Sequence, residues 1–299
     1  MHAAPFAFHA AHDLTDALDA LGSSPGAAVL AGGLSLVPEL RARRRRAALL
    51  VDVNHVPGLG GVTLVPGWPG GPRPVLRAGC TARQADVLAV ADRRPEHALL
   101  AAALRTMGTE LVRQRGTLAG VLAHAAPELQ MSALCSVLGI RVTVRRASGT
   151  HDRAARDLYA DAGAGPGELI TAVEVPGTRP GEGWSFLRAG RRTVGAHLGG
   201  VAVRLALHPD GRCRGVRIAP FVAGHDGAEL AEAGASLRSH PVDERAVRRV
   251  ADLAARTVRT RSDALASADY RRHLVRVLVR RALVQAVDRT VNPSGEKVS

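Results

Sequence analysis

The sequence predicts an α+β protein built in two parts, and three features predict it. The chain has 299 residues, 46% of them apolar, enough for about two domains of ~150 residues with real cores. Up to residue 176, short apolar runs of strand length alternate with segments of helical period. The Gly/Pro-rich stretch 177–183, GTRPGEG, then interrupts the pattern, and strand-like runs followed by helical ones take over. The expected division is into domains 1–177 and 178–299.

Each element has its own signal. Leu14, Ala17, Leu18 and Leu21 fall at i, i+3, i+4 and i+7, the spacing of a short amphipathic helix closed by Gly22. Ala27–Leu30 is an apolar strand that runs straight into Ala31-Gly32-Gly33-Leu34-Ser35. A second strand at 49–53 follows a run of arginines, and 58–74 reads as a loop or hairpin tip. Helical patterns recur at 84–93 and 97–107. Ile140, Val142 and Val144 alternate with Arg141, Thr143 and Arg145 as a half-buried strand does, and 169–175 is a further strand that ends at Pro176. In the second part, strands at 184–188, 200–207 and Cys213–Phe221 surround His208-Pro209-Asp210-Gly211, whose Asp-Gly pair suits a hairpin. Val247, Val250, Ala251, Ala254 and Val258 mark one helix, and Tyr270, Leu274, Val277 and Leu278 begin another. The expected result is a small antiparallel sheet layered on helices. With aromatics at 3%, the cores are built from Ala, Val and Leu.

Composition removes several chemistries. Of 40 basic residues only Lys297 is a lysine; the rest are arginine. A P-loop, a Schiff-base or pyridoxal-phosphate lysine and a kinase-type strand lysine are therefore excluded. Cys80, Cys135 and Cys213 are far apart with no C-x-x-C pair, which argues against a zinc or iron–sulfur site in this chain and for reduced thiols. His9 and His12 come without a metal-binding helix spacing, and no G-x-S-x-G elbow is present. The N-terminus lacks a basic n-region, and no apolar window of ~18 residues occurs, so the expectation is a cytoplasmic protein with no membrane span. The net charge of +13 includes the dense run Arg41, Arg43 to Arg46. Because arginines are spread along the chain and aromatics are scarce, a solvated basic surface is favoured over a nucleic-acid footprint. A basic rim for an acidic partner or a phosphorylated cofactor stays open. Arg188, Arg191 and Arg192 read as surface arginines, and Tyr270, Arg271 and Arg272 as an anchor for the last helix.

Two loops could carry chemistry. After the strand, Gly32 and Gly33 let the backbone turn and aim successive N–H groups at an anion, and Ser35 adds a hydroxyl. A tight turn is the plain alternative. The second loop, Val112-Arg113-Gln114-Arg115-Gly116-Thr117-Leu118-Ala119-Gly120, offers Thr117 and the amides near Gly120; an ordinary loop is its plain alternative.

Taken together these residues resemble the FAD-binding middle subunit of the molybdenum hydroxylases, the family of the flavoprotein subunits of carbon monoxide dehydrogenase and xanthine dehydrogenase. Residues 31–38 match A-G-G-x-S-L-x-P, residues 50–54 match L-V-D-[IV]-N, and Ala78-Gly79-Cys80-Thr81 answers G-A-x-T with the order shifted. Residues 112–120 approximate V-R-N-x-G-T-x-G-G, Pro166 to Thr171 match P-G-E-L-I-T, and Asp269 to Ala282 closely match D-Y-R-x-x-L-x-x-V-L-x-R-R-A. The landmarks run in order from about residue 5 to 288.

The resemblance implies a two-lobed α+β FAD-binding domain followed by the small sheet-and-helix domain of these flavoproteins. It implies FAD as cofactor, with the pyrophosphate held by Ala31, Gly32, Gly33, Leu34 and Ser35 and by Thr117, Ala119 and Gly120. It further implies an iron–sulfur small subunit and a molybdenum-cofactor large subunit as partners, with electrons passing to a soluble acceptor. The second loop departs from the family pattern. Ala119 stands where a glycine is usual, which costs on the order of 1 kcal/mol if the position needs φ > 0. Val121 replaces a polar residue, Gln114 an asparagine, and the usual acidic positions hold Ala126 and Gln130. Two other functions are compatible with these departures: a free-standing FAD enzyme that oxidises or cyclises a small metabolite, and a cofactor-free scaffold that keeps the fold.

Overall fold

The computed structural model describes residues 3–67, 74–190 and 197–291. Arg191, Arg192, Lys297 and residues 68–73 of the 58–74 stretch lie outside the described residues.

The first lobe is a three-stranded parallel sheet. Strands β1 (Ala7–Ala10), β2 (Ala27–Leu30) and β3 (Leu49–Asp52) lie in the order β1-β3-β2. Helix α1 (Leu14–Ser23) makes the first crossover; Asp13 caps it by accepting from the Asp16 amide at 2.9 Å, and Ala17 and Leu21 form its buried face. Helix α2 (Leu36–Arg41) makes the second. Strand β1 carries no sequence signal: Phe6 and Phe8 are exposed, so the apolar alternation that marks a half-buried strand is missing.

The second lobe is a five-stranded antiparallel sheet of order β4-β5-β8-β6-β7, formed by β4 (Val62–Val65), β5 (Val75–Gly79), β6 (Arg141–Arg146), β7 (Gly149–Ala154) and β8 (Leu169–Pro176). The 58–74 stretch is thus largely a hairpin, with Val62 opposite Ala78. Helices α3 (Gln84–Ala91), α4 (Ala98–Leu104), α5 (Glu110–Arg115), α6 (Leu118–His124), α7 (Gln130–Leu138) and α8 (Asp157–Ala160) complete it. Every residue of α7 is buried. Its polar members therefore need partners: Ser132 donates to the Pro127 carbonyl at 2.8 Å and Ser136 to that of Gly227 at 2.9 Å.

The third unit is an antiparallel sheet of β9 (Glu182–Ala189), β10 (Gly199–Leu207) and β11 (Cys213–Phe221), with helices α9 (Ala231–Ala235), α10 (Glu244–Thr257) and α11 (Ala268–Val291). The Asp-Gly turn forms as read, with Gly211 at φ +78°. This sheet is covered on both sides. Ala202, Ala219 and Phe221 join the core of the first two lobes, whereas Val201, Val203 and Leu205 pack with α10 and α11. Helix α11 comes so close to β9 that a Cβ on Gly183 would stand 1.7 Å from the Ala286 carbonyl oxygen. Its anchor is Arg271, 1% exposed, which makes two 2.8 Å bonds to the Asp263 carboxylate and donates to the Arg261 carbonyl at 2.7 Å. Tyr270, by contrast, is 48% exposed. The segment at 177–181 is tied down: the Thr178 amide donates to the Glu96 carbonyl at 2.8 Å and that of Gly177 to Pro74 at 3.1 Å. Among the described residues no helix is long and apolar enough to cross a membrane.

Candidate functional site

Strand β2 delivers the first loop and its two glycines serve different ends. Gly33 has φ +73°, a conformation that suits glycine. Gly32 is required for space: a Cβ there would meet the Arg115 carbonyl oxygen at 2.5 Å and the Gly116 Cα at 3.1 Å. The loop then enters α2, with Ser35 at the cap position making no side-chain cap bond. Among the described residues the amides of Gly32, Gly33, Leu34 and Ser35 donate to no protein group.

The second loop joins two short helices. Thr117 caps α6, its Oγ1 accepting from the Gly120 amide at 3.0 Å. That bond uses the Gly120 N–H and leaves the Thr117 hydroxyl proton free to donate. Gly120 is small for the same reason, since a Cβ there would stand 2.8 Å from Thr117 Oγ1. Ala119 is 2% exposed inside α6 and is not among the residues with positive φ, so alanine carries no backbone strain at this position. The left-handed residue of this region is Ala125, at the end of α6.

A clasp of four side chains holds the two loops together. Asn54 Nδ2 donates to the Ala31 carbonyl at 3.0 Å and to Asp52 Oδ1 at 2.6 Å. Arg83 bridges onward, donating from Nη2 to Asn54 Oδ1 at 2.8 Å and from Nη1 to the Arg115 carbonyl at 2.9 Å. Arg115 closes the circuit by donating from Nε to the Gly32 carbonyl at 3.2 Å. Sequence reasoning missed this clasp. The Asp-x-Asn spacing was visible, but Arg83 and Arg115 look like any other arginine in this chain.

Between the loops lies a cavity of about 380 Å³. All eight expected site residues, Ala31, Gly32, Gly33, Leu34, Ser35, Thr117, Ala119 and Gly120, line it. Both lobes and the third unit contribute, the last through His197. Arg45 stands on the wall, so one member of the arginine run faces the cavity. Burial pushes the Cys80 thiol up to about 12, which keeps it neutral and inert. Burial, reinforced by the Arg188 charge, brings His197 down to about 4, so its imidazole is uncharged at neutral pH. Glu168 stays a carboxylate: burial raises its pKa, but the Gly165 amide and the Arg146 guanidinium outweigh that and leave it below the usual value. Gln130, at one of the family's acidic positions, is buried and donates to the Ala103 carbonyl at 3.1 Å and Thr106 Oγ1 at 3.0 Å. Another buried amide on the wall, that of Gln84, has an Oε1 with no hydrogen-bond partner.

Residues 4–178 match the model of the FAD binding domain in molybdopterin dehydrogenase, and residues 184–286 that of the CO dehydrogenase flavoprotein C-terminal domain. The chain is 30% identical to the nicotine 6-hydroxylase medium subunit of Paenarthrobacter nicotinovorans, covering 93% of this chain and 95% of that one. It is 29% identical to the 6-hydroxypseudooxynicotine dehydrogenase complex subunit alpha of the same organism, covering 88% of each. Among solved structures, a chain of carbon monoxide dehydrogenase from Hydrogenophaga pseudoflava superposes with a TM-score of 0.87 at 26% identity, over 97% of this chain and 99% of that one. The loop pair, the two-lobed fold with its third sheet-and-helix unit, and these matches agree: the chain belongs to the FAD-binding medium-subunit family of the molybdenum hydroxylases and is an FAD flavoprotein of the oxidoreductase class.

Proposed function

We propose that this chain is the electron-transfer subunit of a molybdenum hydroxylase complex. It would hold FAD between an iron–sulfur small subunit and a soluble acceptor while a molybdenum-cofactor large subunit oxidises the substrate. The observation that carries this reading is the meeting of two loops, some eighty residues apart in sequence, on one cavity.

The residues present suit FAD. Four consecutive amides with no protein partner among the described residues, Gly32 to Ser35, offer donors to a pyrophosphate, and the Ser35 and Thr117 hydroxyls add two more. Arg45 supplies positive charge on the wall. The volume falls within the ~300–1,000 Å³ of small-molecule sites. When bound, FAD supplies the redox chemistry. The chain supplies binding, orientation and exclusion of water: glycines 32 and 116 let the two loops pack against one another at the edge of the cavity, and Cys80, Ala119 and Leu169 give it a buried wall. No acid or base of this chain is needed in that role. We assign the FAD unit to residues 1–177 and the C-terminal unit to 178–299. Limited proteolysis should cut first near the exposed residues 179–181, and the two fragments should stay together because Phe221 is packed in the first core.

The test is an absorption spectrum of the purified chain with FAD, before and after denaturation. Flavin bands that shift on binding, with FAD released on unfolding, are the expected result. Reduction of the bound flavin by an organic substrate should then require added iron–sulfur and molybdenum subunits. Reduction by a small metabolite with no other chain present would replace the subunit reading with a free-standing enzyme, and a chain that takes up no FAD would overturn both.

A further inference from the structure

Gln84 occupies the first position of α3 and is 3% exposed. Its backbone is accounted for, the amide donating to the Gly116 carbonyl at 2.8 Å. Its side chain is not. Oε1 is sealed from solvent with no hydrogen-bond partner, and among the described residues no group accepts from Nε2. The sealed, unpaired Oε1 costs the fold about 1–3 kcal/mol, whereas Nε2 is not sealed and is a donor for which the cavity can hold an acceptor. The same side chain forms part of the cavity wall, together with Gly116 and Thr117.

Gly116 fixes where this amide lies. Its φ of −65° and ψ of 142° suit any residue, so its backbone does not ask for glycine. What asks for it is space on both sides. A Cβ on Gly116 would stand 3.0 Å from Gln84 Nε2, and Gly116 Cα is what a Cβ on Gly32 would meet at 3.1 Å. The missing side chain thus lets the second loop pack directly between the first loop and the Gln84 amide, so that all three meet at the cavity wall.

We propose that Gln84 is a cofactor-contacting residue of this cleft, its Nε2 donating to a pyrophosphate oxygen of the bound FAD. The inference rests on the cleft being the FAD site and goes beyond the two loops by adding a third point of contact from α3. An amide there discriminates by charge and by hydrogen bonding. A carboxylate of the same shape would face the phosphates, and an apolar side chain of similar volume would relieve the unpaired amide while offering the ligand nothing.

The variants Q84M and Q84E of the full chain test it, with FAD affinity read from quenching of flavin fluorescence and ligand-free stability from thermal unfolding. Q84M should weaken FAD binding about tenfold to a hundredfold and leave the ligand-free chain as stable as wild type or more so. Q84E should weaken it at least as much. A Q84M chain that loses thermal stability but binds FAD like wild type would make Gln84 a structural residue and overturn the inference. Q84E binding FAD as tightly as wild type would overturn the phosphate contact. Wild type failing to bind FAD at all would overturn the cofactor reading and this inference with it.

Discussion

Asn54 is a small residue with a wide reach, because one side-chain amide ties the Ala31 carbonyl, the Asp52 carboxylate and the Arg83 guanidinium together. Asn54→Ala frees the first loop from the clasp. The expected loss is about 1–3 kcal/mol, seen as weaker FAD binding in a fluorescence titration, while Asn54→Asp keeps the acceptor for Arg83 and should recover part of it. Arg271 and Asp263 form another decisive pair. The hydrogen bonds from Arg271 hold the Asp263 carboxyl down at about 2 instead of the usual 3.8. Its contribution to stability is therefore complete above 3.8 and is lost as the pH falls through about 2. Thermal unfolding between pH ~5 and ~2 should show this acid limb in wild type and a shallower one in Asp263→Asn. At this scale the sequence was partly legible. The turn at Gly32, Gly33 and Ser35 was, because glycines and a hydroxyl directly after a strand have a readable purpose, whereas Ala31, Leu34, Thr117, Ala119 and Gly120 were assigned to the site through the family resemblance. The clasp and Gln84 were not, since an arginine's or an amide's role depends on what the fold brings opposite it.

Among the elements, those with a strong period were legible and those without were not. Strand β8 and the three strands of the third sheet show continuous or alternating apolar runs. Helix α7 does not stand out because it is buried on every side, so no polar face marks its period. Ala119 shows the converse risk. Read against a family pattern it suggested strain, yet the fold places it inside α6, where alanine is the best helix former. The contact between α11 and β9 depends on Gly183. Gly183→Ala puts a methyl group into the Ala286 carbonyl, which must push the helix off the sheet and should cost more than about 3 kcal/mol. A large drop in thermal midpoint is expected, with the ligand-free far-UV spectrum at low temperature retained. A midpoint unchanged from wild type would mean that the helix sits further from the strand.

For the molecule as a whole, the division into a larger first part and a sheet-and-helix second part was visible from composition and period. The packing of the third sheet between two cores was not. It arises because β10 alternates Val201, Val203 and Leu205 with Ala202, so both of its faces are apolar. An acid-sensitive imidazole, that of His197, lies at the junction of the units, and burial also lowers that of His97. His197 titrates at about 4 when folded, against 6.5 ordinarily, through burial and the nearby Arg188 charge. As pH falls from 6.5 towards 4, the unfolded chain takes up a proton that the folded one refuses, so stability declines across that window. His197→Gln should flatten this decline, measured as thermal midpoint against pH.

The cavity walls come from the first lobe, the second lobe and His197 of the third unit. A ligand seated there touches all three at once, and its free energy of association is added to their cohesion by mass action. At a free concentration a hundred times its dissociation constant, such a ligand raises the unfolding free energy by about 2.7 kcal/mol. The melting temperature of this chain should therefore climb with the logarithm of added FAD. The supply of cofactor would then set how long each copy of the chain survives unfolded-state proteolysis.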